Sequence, residues 1–318
     1  MDINLLLDNL RNPALLFFFL GILAVRLKSD LSIPANSSKF ISLYLLFAIG
    51  FKGGQELAHS TLGAEIFYSL FFGIFLALVV PLYSFFILKG KLGVANAGAI
   101  AAAYGSVSAV TFVTTVSFLD IRHVEFGGHM VAVMALMEAP SIIIGVLLMA
   151  WFDKESVEKP SLSHLIKHSV TNGSVFLIMG SLVIGFIASE EQAQGIRPFT
   201  TDIFKGFLAV FLLDMGITTG KRLTTFMQNG WFSFLFAVII PLINGCVVAL
   251  CSGVITESIG NRLLFAILAA SASYIAVPAA MKMAAPQANP GLYIPMALAI
   301  TFPMNITIGI PLYMMLIT

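Results

Sequence analysis

The stretch from Ala269 to Pro290, AASASYIAVPAAMKMAAPQANP, sets Ser271, Ser273, Tyr274 and Pro278 inside an otherwise apolar run. Proline has no N–H, so Pro278 is expected to leave the Tyr274 carbonyl without its helical partner. An unpaired carbonyl in hydrocarbon costs several kcal/mol, so such a break must line a cavity or hold a ligand. A twin lies 165 residues upstream, where Asn96, Ser106 and Ser108 answer Asn261, Ser271 and Ser273. It reads NAGAIAAAYGSVSAVTFVTT, with Gly105 at the break. Interrupted apolar segments at matching places in two halves point to the binding site of a transporter. Small residues also let helices pack closely, and one serine pair alone would read that way. The matched pair and the proline favour a site.

A broken helix presents unpaired N–H groups and a positive dipole end where its second half begins. The hydroxyls of Ser106, Ser108, Ser271 and Ser273 both donate and accept. That combination suits a small oxyanion with an O–H of its own, such as bicarbonate, and a larger organic acid satisfies the same chemistry. Two carboxylates fall within apolar segments, where charge is costly and marks function. Glu138 stands in LMEAPSIIIG beside Pro140, which frees the Leu136 carbonyl, so carboxylate and carbonyl could share one cation. A neutral, buried Glu138 bonded to a serine is the structural alternative. Asp214, in FLLDMGITTG, serves either as a second charge or as a pin for the Gly216–Gly220 turn. Glu56 and Glu65 fall near helix ends, where solvent reaches them. No basic side chain sits mid-segment to neutralise an anion, so a cotransported cation is expected to do so. Moving one charge against 100 mV costs about 2.3 kcal/mol. One sodium cancels that cost, and a tenfold gradient adds roughly 1.4 kcal/mol.

The elements that must position these groups are membrane helices. Of 318 residues, 58% are apolar and 10% charged, against roughly 25% charged in soluble domains. A net charge of +1 gives no reason to expect nucleic acid. Cys246 and Cys251 share one apolar segment and read as packing residues, not as a disulfide framework or zinc site. Asp2 and Asp8 make the N-terminus acidic, unlike a cleaved signal. Ten spans are expected, at 13–27, 36–53, 64–88, 93–117, 127–152, 169–188, 199–219, 229–253, 260–282 and 291–317. Pro13 and Pro34 fit helix starts, and Asn36, Ser37 and Ser38 fit caps.

The repeat extends beyond the serines. Gly50 and Gly54 answer Gly216 and Gly220, Pro81 answers Pro241, and Met134-Ala135-Leu136 recurs as Met296-Ala297-Leu298. Pro140 then matches Pro303, and Gly145 matches Gly309. Two halves of five spans, residues 1–152 and 169–318, must lie inverted to each other, as in several secondary transporters. Residues 153–168 link them. The loops after odd-numbered spans carry 11 of the 17 lysines and arginines, which places both termini outside and the linker in the cytoplasm. His164 and His168 in the linker have metal-ligand spacing, but a site wants three or four ligands.

The residues are specific enough to carry a resemblance. GSVSAVT at 105–111, MEAPS at 137–141, ANP at 288–290 and FPMNITIGIPLY at 302–313 resemble the sodium-dependent bicarbonate transporter family, best known from cyanobacteria. IP at 33–34 and GG at 53–54 match more loosely. The resemblance implies an all-α, ten-helix fold of two inverted five-helix repeats, similar to bile-acid-type symporters. It implies a gate domain from spans 1, 2, 6 and 7. Spans 3–5 and 8–10 would form the core, with spans four and nine crossing at their breaks. It implies a homotrimer working by an elevator motion in the bacterial inner membrane, and a possible PII-type regulatory partner. Carried onto this chain, Ser106, Val107, Ser108 and Thr111 match the first substrate-facing break. Ser271, Ala272, Ser273 and Ala276 match the second. Sodium would be held by Glu138, Ser108, Ser273 and Tyr274, with Asp214 and Asn305 as further candidates. Familiar members have aspartate at the positions of Glu138 and Tyr274, and a longer cytoplasmic linker.

The expected function is inward sodium-coupled symport of bicarbonate or a similar small anion, with no cofactor beyond the coupling ion. A sodium- or proton-coupled organic acid symporter on the same fold is the alternative, and a channel or transporter-like sensor a more distant one. An enzyme is not expected, since HExxH and a paired aspartate motif for membrane proteolysis are both missing.

Overall fold

The computed structural model describes residues 11–59, 63–152, 167, 171–226 and 230–318. The acidic Asp2 and Asp8, His164 and His168, and all of the linker except Lys167 lie outside the described residues. Among the described residues the chain is helical throughout. It runs α1 Pro13–Arg26, α2 Ala35–His59, α3 Ala64–Leu92, α4 Val94–Gly105, α5 Ala109–Ile121, α6 His129–Phe152 and α7 Gly173–Ile187. It continues with α8 Glu190–Arg197, α9 Phe204–Phe226, α10 Trp231–Cys251, α11 Ile259–Ala270 and α12 Ala276–Ala284. A last helix, α13 Pro290–Ile317, contains two π-helical segments, Met296–Thr301 and Asn305–Gly309. Among the described residues six helical stretches are long and apolar enough to cross a membrane, and α1, α7 and α11 are shorter apolar helices.

Most starts follow local chemistry. Asn12 caps α1 ahead of Pro13, and Asn172 caps α7 through the Ser174 amide. Before α8, Ser189 and Gln192 form a reciprocal capping box. This S-x-x-Q signature starts a helix in a stretch that the sequence reading left between spans. The chain then passes through a π-helical turn, Pro198–Asp202, before α9, which begins five residues later than expected.

Four helices form two tight pairs, α1 on α9 and α2 on α7. Glycines set both approaches. A Cβ at Gly216 would fall on the Phe18 carbonyl of α1, and one at Gly21 on the Leu213 carbonyl of α9. In the other pair, a Cβ at Gly54 would strike the Leu182 carbonyl, and one at Gly185 the Phe51 carbonyl. These backbone contacts are how helices gain packing energy where lipid supplies no hydrophobic drive. The remaining long helices form two further groups, α3 with α4 and α6, and α10 with α11 and α13.

The two expected in-helix prolines have matching solutions. Pro81 in α3 frees the Ala77 carbonyl, which accepts from the Ser141 hydroxyl of α6 at 2.9 Å. Pro241 in α10 frees the Ala237 carbonyl, which accepts from the Thr301 hydroxyl of α13 at 2.7 Å. Each proline therefore ties a peripheral helix to the helix behind the broken one.

Replacing Gly216 with valine is expected to push α1 off α9 and cost about 1–3 kcal/mol. A fall in the thermal midpoint of detergent-solubilised protein checks this, with Gly206→Val as the control, since a Cβ there meets nothing within 4 Å.

Candidate functional site

The first broken helix stops at Gly105 because the chain must pass close to α3. A Cβ on Gly105 would enter the Pro81 ring. Ser106 is extended, and Ser108 caps α5 by accepting from the Thr111 amide at 3.2 Å. The second broken helix stops at Ala270, is non-helical from Ser271 to Ile275, and resumes at Ala276. The break includes Tyr274, four residues before Pro278, whose missing N–H leaves the Tyr274 carbonyl without a helical partner, and Pro278 itself occupies the first turn of α12.

The two breaks meet and hydrogen-bond to one another. The Ser108 amide donates to the Ser271 hydroxyl at 3.0 Å, and the Ser273 amide donates to the Ala103 carbonyl at 2.8 Å. The matched serines thus join the segments they interrupt. The carbonyl end of α11 is closed by side chains from neighbouring helices. Asn305 donates to the Ala270 carbonyl at 2.7 Å, and Asn244 to the Ala269 carbonyl at 3.2 Å. Tyr313 and Tyr83 in turn hold Asn305 and Asn244, at 3.2 and 2.6 Å. Asn305 is fully buried and supports the break without lining its cavity. Asn244 went unnoticed in the sequence, although it stands three residues after Pro241 in IIPLINGC.

Beside the crossing is a cavity of about 40 Å³. Val107, Ser108, Glu138, Ser273, Tyr274 and Ala276 reach its wall, so the structure brings together six of the expected site residues. Ser106, Thr111, Ser271 and Ala272 lie behind it, all at least 98% buried. The rest of the wall includes Ser42, Leu45 and Leu46 from α2, and Ser174 from α7. Nothing in the repeat pattern pointed to these four. They face the site because the α2–α7 pair packs against the crossing.

Three hydroxyls at the crossing are buried without a hydrogen-bond partner, those of Ser106, Thr111 and Tyr274. The Tyr274 hydroxyl lies near Ser108 without making an ordinary hydrogen bond to it. A buried polar group in this state costs about 1–3 kcal/mol, which a polar ligand would recover. The starts of α5 and α12 also meet at the cavity through Ala109, Val110 and Ala276. First-turn N–H groups have no partner within their own helix. The site therefore offers donors and a positive dipole end beside one carboxylate, Glu138.

The cavity adjoins one of two larger vestibules. The cavity shares Ser42, Ser174, Tyr274 and Ile275 with a vestibule of about 450 Å³, whose walls include Ser38, Lys39 and Asp214. Asp214 accepts a hydrogen bond from Ser38 and is absent from the wall of the smaller cavity. At the other end is a vestibule of about 640 Å³ lined by Lys52, Asp120 and Arg197. It shares no lining residue with the crossing cavity. Leu45, Leu46 and Val113 face one side of the intervening layer, and Ala48, Ile49 and Val116 the other. Across this closed end, Lys52 of α2 pairs with Asp120 of α5 at 3.0 Å. Glu65, expected in solvent, is exposed and also accepts from Thr256 and Asn261 at 2.5 and 3.1 Å.

Asn305→Leu should leave the Ala270 carbonyl unpaired and cost about 1–3 kcal/mol. Unfolding in detergent, compared with Gln194→Leu at an exposed position of α8, measures the loss.

The comparisons with known proteins fit this geometry. The sequence model of the Na+-dependent bicarbonate transporter superfamily matches residues 13–318. A search of curated proteins gives no match. With hydrogen-bonded helix breaks, an apolar helical body and a family match over nearly its whole length, the chain belongs to the Na+-dependent bicarbonate transporter superfamily.

Proposed function

We propose that this protein carries bicarbonate, or an anion of the same size and shape, into the cell together with sodium. The observation that carries the reading is the small cavity beside the two breaks, into whose largely apolar wall Ser42, Ser108, Ser174, Ser273, Tyr274 and Glu138 bring oxygens. A volume of 40 Å³ accommodates about three water-sized groups. That suits a planar ion of three oxygens better than a long organic acid. The hydroxyls and first-turn amides donate to the anion, and Glu138 with Ser108, Ser273 and Tyr274 supplies oxygens for the cation. Sodium bound beside Glu138 offsets the charge that no basic side chain of the cavity neutralises.

Alternating access follows from two bodies moving past one another. The α1–α9 and α2–α7 pairs serve as the gate, and the groups around α4–α5 and α11–α12 as the moving core. Two inverted five-span halves, residues 1–152 and 169–318, supply these bodies twice over. The paired glycine contacts and the two proline carbonyls met by Ser141 and Thr301 support that reading. With the termini outside, the 450 Å³ vestibule faces the cytoplasm and this conformation is inward-facing. The core slides as an elevator, and Lys52–Asp120 separates when the other end opens. The resemblance adds a homotrimer in the bacterial inner membrane.

Labelled bicarbonate uptake into proteoliposomes tests the function. Accumulation is expected to require an inward sodium gradient and to persist with excess organic acids, with carbonic anhydrase controlling for carbon dioxide leakage. Uptake without sodium, or none by folded protein, would reject the reading. Glu138→Ala and Ser273→Ala are each expected to abolish uptake while the protein remains folded. Normal uptake by either variant would remove that residue from the site.

A further inference from the structure

Asp214 sits on α9 with 8% of its surface exposed, in the wall of the 450 Å³ vestibule. One carboxylate oxygen accepts from Ser38 of α2, and among the described residues the other takes no hydrogen bond. Lys39 and Lys221 lie in its surroundings, yet neither comes within ion-pairing distance. Among the described residues the one ion pair joins Lys52 and Asp120, at the opposite end of the site. A buried carboxylate without a cationic partner is costly and calls for a counter-ion. Facing the same vestibule are Ser42 and Thr218, and the unpartnered hydroxyl of Tyr274 belongs to a residue lining both spaces.

We infer that Asp214, with Ser38 and Ser42, forms a second site for a monovalent cation such as sodium, adjoining the one beside Glu138 at Tyr274, whose hydroxyl serves whichever of the two is filled. The ligand set is all oxygen, which suits a hard cation, and it holds one carboxylate among neutral hydroxyls, which matches a single positive charge. The site spans two bodies. Asp214, Ser38 and Ser42 belong to the α1–α9 and α2–α7 pairs, whereas Tyr274 belongs to the crossing. A cation held between them stabilises this conformation over any in which the crossing has moved away. It is therefore a station on the path between the crossing and the vestibule mouth, and filling it from that side slows the return of the empty carrier. The inference rests on the reading of the chain as a sodium-coupled carrier, and its test does not require transport.

The test is a sodium titration of the thermal midpoint of the whole protein in detergent, with choline chloride holding ionic strength constant. Wild type should rise to saturation. A response that survives Glu138→Gln and needs about tenfold more sodium in Asp214→Asn belongs to the vestibule. A response lost in Glu138→Gln and unchanged in Asp214→Asn overturns the proposal. Should Asp214→Asn fail to fold, Thr218→Cys with Cys246 and Cys251 replaced by alanine gives a second readout. Sodium should slow its labelling by a thiol reagent and leave Thr201→Cys, in the other vestibule, unaffected. Equal rates at Thr218→Cys in sodium and choline would overturn the site. A titration that depends on Asp214 in a protein that takes up no bicarbonate would refute the transport reading and leave this site standing.

Discussion

Two broken helices must cross inside an apolar body, and every backbone group exposed by the breaks needs a partner there. Water satisfies such groups in a soluble loop, but at this depth only the protein or a ligand can. The chain answers with reciprocal bonds across the crossing. The Ser108 amide uses the Ser271 hydroxyl, and the Ser273 amide uses the Ala103 carbonyl. The end of α11 is then closed by Asn305 and Asn244, each held by a tyrosine. Of the buried hydroxyls left unpaired, those of Ser106, Thr111 and Tyr274 lie at the breaks, and Tyr274 lines the cavity. Structural demand and binding capacity have the same origin.

The supporting helices repeat this logic in weaker form. Pro81 and Pro241 each free a carbonyl, and Ser141 and Thr301 each take it. Thr301 also meets the Tyr104 hydroxyl at 2.8 Å, which ties the last turn of α4 to α13. These bonds join helices within the crossing group. The glycine contacts of α1 with α9 and of α2 with α7 join helices outside it. Between the two sets the structure places cavities and one ion pair, interactions that can be exchanged with little cost in buried apolar area. Partly exposed ion pairs contribute about 0–1 kcal/mol, so Lys52–Asp120 can hold one end closed without making it permanent.

Much was legible in the sequence because it depends on local chemistry. The membrane class follows from composition, the breaks from serines and glycine amid apolar runs, and the proline pairs from their matched positions. Glu138 stood out because a carboxylate among leucines and isoleucines is costly. Pro278 is equally local, since it leaves the Tyr274 carbonyl without a helical partner and sits in the first turn of the helix that resumes at Ala276. Asn244, Ser42 and Ser174 were invisible because a polar residue near the site in space need not be near it in sequence.

The sequence by itself determined where backbone hydrogen bonding would fail, since that depends on residue type and on neighbours along the chain. The tertiary structure alone decided which groups repair the failure and which are left for a ligand. It sent Asn305 to the Ala270 carbonyl and away from the cavity, and set Asp214 in a vestibule beside Tyr274. Those outcomes depend on how helices distant in sequence approach one another, and no pattern along the chain encodes that geometry.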